Sequence, residues 1–458
     1  MKKMDKNEIY MNIFLFFNFF LLQIFTEILL WHNFTWSFLF NFTIIFMPFW
    51  FFITQYLIKK DKMFNLHPAN YWLSFLIILD LGIIINIFSL KYFSDPSITP
   101  LFVAVTITLM MNFYLGFLSS LVFAFYFSFL IGSPLKTFIS LFIIGLTSAY
   151  LSKKIYSRVR IVIPFLGATI SQIIIYLIYK DFEYLAIPQI FISNLVQMLF
   201  VLGVLPYLEY ITRIYSDIGL LELGNLNHPL LRKLSLNASG TYYHSLIIAN
   251  LVESAAESIN ANPILLRVGA YFHDIGKSLR PLFFTENQRG INPHDKINPK
   301  LSALILNLHV TKGKELAKKY KLPILIEDLI VQHHGTRIKR YFFHKNMESN
   351  ENLPPDLFKY PGPIPQFKEA AILMIADNIE AITRSMKEIN KKNIEEKIDN
   401  LIQDLFFEGQ LDDCGLTLGE IKKIAHSMTE TILNMNHSRI SYPEIPKELL
   451  KEVNKIEN

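Results

Sequence analysis

Seven side chains in the second half of the chain have the types and the spacing of a metal site: His244, His273, Asp274, His309, His333, His334 and Asp377. Each sits on the apolar face of a segment with helical periodicity. In TYYHSLIIANL, His244 shares its face with Ile247, Ile248 and Leu251, at spacings of three, four and seven. LLRVGAYFHDIGK reads as a helix with His273 and Asp274 in its last turn and Gly276 as the residue that ends it. Asn298-Pro299 is a helix start, and Leu301, Ile305 and Leu308 define an inward stripe that leads to His309. In LPILIEDLIVQHHG the stripe Ile326, Leu329, Ile330 runs into His333 and His334, with Gly335 closing the helix. Asp377 follows Met374, Leu373 and Ala370 at three, four and seven.

Burying a polar group is costly unless it finds a partner. One inward histidine is most simply a satisfied core residue. Five histidines and two aspartates aimed into one helical core are difficult to satisfy by mutual hydrogen bonding, and a shared metal centre is the economical alternative. Imidazole and carboxylate without thiolate suit Fe, Mn, Co, Ni or Zn. Seven ligands exceed the needs of one ion and match a pair ~3.5–4 Å apart, which clamps the attacking and leaving oxygens of an in-line phosphoryl displacement. Asp274 is placed to bridge the pair, and a bridging hydroxide is the expected nucleophile.

The elements that must hold these residues are helices throughout. Ten of the 12 histidines follow residue 227, and 230–440 carries little alternating strand pattern. The first half is different. The chain is 458 residues long, 52% hydrophobic and rich in Phe (40), with a mean hydropathy of +0.31, and its long apolar runs are confined to residues 1–208. Candidate membrane spans are 10–31, 36–58, 71–90, 98–114, 116–133, 136–152, 160–179 and 187–208, with 98–133 open to a re-entrant reading. Basic residues cluster at the N-terminus, at 59–62 and at 153–160. Eight spans place all of these on one side and return the chain to that side at residue 209. Asp80 lies mid-span and is read as protonated or helix-paired.

Residues 1–208 hold 13 Lys/Arg and 8 Asp/Glu, which accounts for the whole net charge of +5. The remainder is neutral, so polymeric nucleic acid is not an expected partner. The single cysteine, Cys414, excludes an intrachain disulfide. The expected architecture is all-α: a multi-pass membrane domain (1–208), an amphipathic connector (209–227), a helical catalytic domain (228–445) and a tail (446–458).

The order H…HD…H…HH…D resembles the HD superfamily of metal-dependent phosphohydrolases. The surrounding text narrows the resemblance. HPLL (228–231), GTYYHS (240–245), RVGAYFHDIGK (267–277), NPHDKINP (292–299), YPGPIPQ (360–366) and HSRISYPE (437–444) are similar to the seven-transmembrane HD family, the PgpH-type cyclic di-AMP phosphodiesterases. The resemblance covers roughly 60–444 and implies two Fe or Mn ions and hydrolysis of cyclic di-AMP to pApA. It assigns His244, His273, Asp274 and Asp377 to one ion and Asp274, His309, His333 and His334 to the other. Lys277 would stabilise phosphoryl oxygens alongside Asp274, while Arg280, Asn292 and His294 would face the nucleotide.

The resemblance further implies a bacterial cell membrane, a lipid bilayer as partner and a cytoplasmic HD domain, with a homo-oligomer left open. One departure stands out: only residues near 32–35 separate the first two candidate spans, where family members carry a large extracytoplasmic domain. Input is therefore expected through the membrane helices or from the cytosol. The competing readings are another HD chemistry, acting on cyclic di-GMP, (p)ppGpp or a dNTP, a nucleotide-binding membrane receptor without catalysis, and a transporter-like protein. GTRIKRYFF after His334 lacks the acidic, GYP-containing stretch of the cyclic di-GMP class.

Overall fold

The computed structural model describes residues 62–92, 98–130, 134–179, 186–288, 290–349, 353–386 and 388–435. The candidate spans 10–31 and 36–58, the tail 446–458 and the HSRISYPE motif lie outside the described residues. Among the described residues the fold is all-α, with no strand and one isolated antiparallel bridge between Ile338 and Lys359.

Among the described residues, six apolar helices build the membrane half: Pro68–Tyr92, Leu101–Met110, Phe113–Leu130, Pro134–Leu151, Val162–Ile178 and Ala186–Thr212. The 98–133 region resolves into two helices separated by a break at Met111 and Asn112. The first has 10 residues, about 15 Å of helix at 1.5 Å per residue and roughly half of a hydrocarbon core. It lies at the centre of the bundle, with Leu101 to Thr108 all buried.

A broken helix at that depth leaves backbone groups that lipid cannot satisfy, and amide side chains from three neighbouring helices take them up. Gln197 accepts from the Phe102 N–H at 2.9 Å and donates to the Thr99 carbonyl at 3.0 Å. Asn86 accepts from the Thr99 N–H at 2.9 Å, and Gln172 donates to the Ile98 carbonyl at 2.9 Å.

The last membrane helix continues past residue 208 to Thr212, and Arg213 then turns in the left-handed region with φ 59°. The catalytic half packs around the buried helix Lys368–Arg384, where Ala370 to Ala376 are all fully buried. Ser239–Ser258, Pro263–Phe272 and Ile324–Gln332 pack against it, and Ser239–Ser258 also rests on Leu418–Met435.

Two local expectations need correction. The helix before His273 ends at Phe272, and Ile275–Leu279 winds on as a 3-10 segment. Gly276 therefore does not end a helix; it permits a close approach. A Cβ there would lie 1.9 Å from the His309 carbonyl oxygen. Leu301 is 44% exposed. It sits one turn from the Asn298 cap, beyond the end of the core, and the inward face is instead Ser302, Ile305, His309 and Gly313.

Candidate metal centre

All seven residues singled out in the sequence meet at one point. Asp274 is at the centre, 1% exposed, and its two oxygens face different partners. Oδ2 lies 3.3 Å from His273 Nε2 and 3.8 Å from His244 Nε2. Oδ1 lies 3.6 Å from His309 Nε2 and 3.7 Å from His333 Nε2. Asp377 completes the first side, 3.0 Å from His244 Nε2 and 3.8 Å from His273 Nε2, and its other oxygen stands 3.4 Å from His334 Nδ1. Three overlapping sets bring their donor atoms within 4.8 Å of one another: His244, His273 and Asp377; His309, His333 and His334; and His273, Asp274 and His333, which joins the first two.

Local folding explains how the imidazoles are aimed. His273 and His333 both cap short helices, and His309 sits mid-helix. In each, Nδ1 reaches the carbonyl three residues back: Ala270 at 2.8 Å, Leu306 at 2.6 Å and Ile330 at 2.8 Å. A carbonyl only accepts, so Nδ1 carries the proton and Nε2 presents a lone pair to the centre. Outer hydrogen bonds of this kind fix the tautomer of ligating histidines. His244 is oriented the same way by Glu380, whose carboxylate accepts from Nδ1 at 2.8 Å.

The atoms that point inward fit cations and little else. His273 Nε2 and Asp274 Oδ1 are buried with no hydrogen-bond partner, and Asp274 Oδ2 is met by the Lys277 ammonium at 2.6 Å. The Nε2 atoms of His309 and His333 face each other at 3.4 Å. With Nδ1 protonated in both, two lone pairs oppose one another, an arrangement that a shared cation relieves. The donors are nitrogen and oxygen, suited to divalent transition metals.

Electrostatics agree. Burial drives His309 down to about 3 and His333 to about 4, keeping both imidazoles neutral. Burial opposes ionisation of Asp274, yet the Lys277 ammonium and His273 outweigh it and hold the carboxyl well below the usual range. At His273 burial opposes the cation, while Asp274 and Asp377 lift its pKa to about 10, so without metal its Nε2 also carries a proton, which a bound cation would have to displace.

Lys277 sits between two carboxylates, 2.6 Å from Asp274 Oδ2 and 3.0 Å from Glu286 Oε1. Sequence reasoning missed Glu286, which lies in an irregular loop with no periodic signal. Glu380 was missed as well, although its position three residues after Asp377 on one helix placed it on the same face. Tyr360, from YPGPIPQ, stacks on His334 with ring centroids 4.2 Å apart.

The three residues expected to face a nucleotide lie in or beside the loop that follows Lys277. Asn292 Oδ1 accepts from the His294 N–H at 3.0 Å and from Gln288 Nε2 at 3.1 Å. His294 is buried between Phe283 and Phe342, its Nε2 donating to the Phe283 carbonyl at 3.0 Å. Arg280 is exposed. Phe284 of this loop packs edge-on against His309 at 5.5 Å, so the loop walls the centre, but none of the three touches a metal-type ligand among the described residues.

The helix Ile324–Gln332, which delivers His333 and His334, is held at its other end by the membrane half. The Arg213 carbonyl accepts from the Ile324 N–H at 3.0 Å. The Arg213 guanidinium donates to the Leu322 carbonyl at 2.9 Å and to Glu327 at 2.7 Å. Asp328 pairs with His67, just before Pro68–Tyr92.

Comparison with known proteins now gives this arrangement its relatives. The model of the HD domain matches residues 241–382, a range that contains all seven residues. The model described as "7TM receptor with intracellular HD hydrolase" matches residues 31–216. The two matched ranges lie in the order of a membrane receptor followed by an HD hydrolase domain. The chain is 44% identical over 259 residues to the cyclic-di-AMP phosphodiesterase PgpH of Bacillus subtilis, covering 56% of this chain and 36% of that protein. It is 44% identical over 243 residues to PgpH of Listeria monocytogenes, covering 53% and 34%. It thus spans about a third of the length of the curated relatives it matches. The crystal structure of the L. monocytogenes PgpH HD domain in complex with cyclic-di-AMP is 45% identical, with a TM-score of 0.45, covering 46% of this chain and 99% of that one.

Proposed function

We propose that this protein is a membrane-anchored two-metal phosphodiesterase that hydrolyses cyclic di-AMP to pApA. The observation that carries the reading is Asp274: it is buried, its Oδ1 has no hydrogen-bond partner, its Oδ2 is met by the Lys277 ammonium, and each oxygen faces a separate group of histidines. That is the geometry expected of a carboxylate bridging two cations. On this reading His244, His273, Asp274 and Asp377 hold one ion and Asp274, His309, His333 and His334 the other; the donors suit divalent transition metals, and the family resemblance implies Fe or Mn. Two divalent cations there would supply Lewis acidity at the phosphoryl oxygens and an acidified water for in-line attack.

The chain's own residues supply the rest. Lys277 keeps Asp274 ionised and is placed to offer a remaining N–H to a phosphoryl oxygen. Glu286 holds that ammonium in position. Arg280, exposed at the rim, is free to meet a second phosphate, and Asn292 with His294 shapes the loop wall against which a nucleotide would lie. Hydrolysis adds water at phosphorus and breaks the P–O3′ bond, leaving the linear dinucleotide. The curated relatives support cyclic di-AMP as substrate by their names.

The positioning of basic residues supports a cytosolic HD domain on a bacterial membrane. Residues 101–110, short as they are, then count as one crossing, so that eight spans precede the connector at 209. The test is incubation of the full-length chain in detergent with Mn(II) and a panel of cyclic dinucleotides, products read by chromatography. Preferential cleavage of cyclic di-AMP supports the reading. Preference for cyclic di-GMP, or no cleavage of any, overturns it.

A further inference from the structure

Tyr360 lies against the metal centre without belonging to it. Its ring stacks on His334 with planes 28° apart, and meets His309 edge-on at 6.2 Å. The backbone that carries it is pinned. The Tyr360 N–H donates to the Arg337 carbonyl at 3.0 Å and the Lys339 N–H to the Phe358 carbonyl at 3.0 Å, on either side of the Ile338–Lys359 bridge. Residues 337–339 and 358–360 form a two-stranded clip that begins three residues after His334.

Lys339 is the unusual member of this clip. It is 6% exposed, and among the described residues no carboxylate pairs with it. Its ammonium donates to the Phe358 and Lys359 carbonyls, at 3.1 and 2.9 Å, and stands over the Tyr360 ring, 3.9 Å from the centroid. Lysine is almost never fully buried without a partner, and burial pushes this one down to about 7. What the buried ammonium gains is a cation–π contact and a firm hold on the two carbonyls just before Tyr360.

His334 stacks on the ring and the Lys339 ammonium stands 3.9 Å from its centroid, so both hold the ring in place. The phenol hydroxyl has no hydrogen-bond partner among the described residues. A phenol keeps its proton near neutral pH, so the hydroxyl is a donor. The ring contacts with His334 and His309 place Tyr360 beside the centre.

We propose that Tyr360 contacts the substrate, its hydroxyl donating a hydrogen bond to a non-bridging oxygen of the phosphodiester, and that Lys339 is a positioning residue that fixes the ring. This rests on the phosphodiesterase reading above. The test uses the full-length chain with Mn(II) and two substrates, cyclic di-AMP and bis(p-nitrophenyl) phosphate. Tyr360→Phe keeps the ring and its contacts with His334 and Lys339 and removes only the donor. Its kcat is expected to fall on the order of 10- to 100-fold on both substrates, with Mn content unchanged. Lys339→Met is expected to cost less in the Tyr360→Phe background than in the wild type, since it acts through the ring.

Turnover by Tyr360→Phe within twofold of wild type overturns the proposal. So does loss of Mn from that variant, which would make the tyrosine a prop for His334. So does an equal cost of Lys339→Met in both backgrounds. Cleavage of bis(p-nitrophenyl) phosphate without cleavage of cyclic di-AMP removes the substrate assignment, yet still reads the tyrosine. A wild type inert to both removes the phosphodiesterase reading and this inference together.

Discussion

His309 Nε2 and His333 Nε2 face each other at 3.4 Å, each with its Nδ1 committed to a backbone carbonyl. Nothing in the protein separates the two lone pairs, so the pair is expected to depend on a cation. Chelation with EDTA should lower the thermal midpoint of the HD half, and Mn(II) should restore it. An unchanged midpoint on chelation would count against a resident cation.

The metal-free protein should also be acid-sensitive in a particular window. The folded pKa values of His309 and His333, about 3 and about 4, lie below the ordinary histidine value of 6.5. Between 6.5 and about 4 the unfolded chain binds protons that the folded chain does not, so stability falls as pH falls through that range. His273, raised to about 10, acts in the opposite sense: its contribution is present below 6.5 and is lost as pH rises toward 10. Urea midpoints of EDTA-treated protein from pH 8 to 4 are expected to peak near 6.5. A flat profile would contradict the neutral, buried state of the two histidines.

Gly276 makes a third prediction. Its missing side chain lets the 3-10 segment that follows Asp274 pass against the helix that carries His309. Gly276→Ala should push those elements apart, lowering both metal content and turnover. Retention of full metal content and rate would show that the contact is dispensable.

That glycine also shows where sequence reasoning stopped. The ligands were legible because each interrupts an apolar stripe, and five such interruptions share one explanation. Gly276 was read as a helix end because glycine commonly serves that purpose, whereas its reason is a contact with a residue 33 positions away. Leu301 looked inward because periodicity says which residues share a face but not where the core stops. Glu286 and Tyr360 come from irregular segments brought in by tertiary packing, where no period exists to read. The half-length helix Leu101–Met110 was visible only as an ambiguity, since hydropathy does not record the amides of Asn86, Gln172 and Gln197 that make a break tolerable.

Arg213 and Glu327 couple the last membrane helix to the helix that ends in His333 and His334. Arg213→Met leaves Glu327 largely buried, with Lys318 still 3.8 Å away. The expected loss is therefore smaller than the ~3–5 kcal/mol of a fully buried broken pair. Turnover should fall as well, because the helix that aims the two histidines loses its anchor. Unfolding curves and rates measured on the same preparation would check both. A destabilised variant with an unaltered rate would confine the contact to stability.

The two-metal reading of this site requires Asp274 to serve both cations. The most direct measurement compares wild type and Asp274→Ala, full-length, for bound metal and for conversion of cyclic di-AMP to pApA with Mn(II). Wild type is expected to hold about two ions per chain and to form pApA, while the variant binds less metal and forms none. An Asp274→Ala protein with wild-type metal content and turnover would contradict the two-metal mechanism.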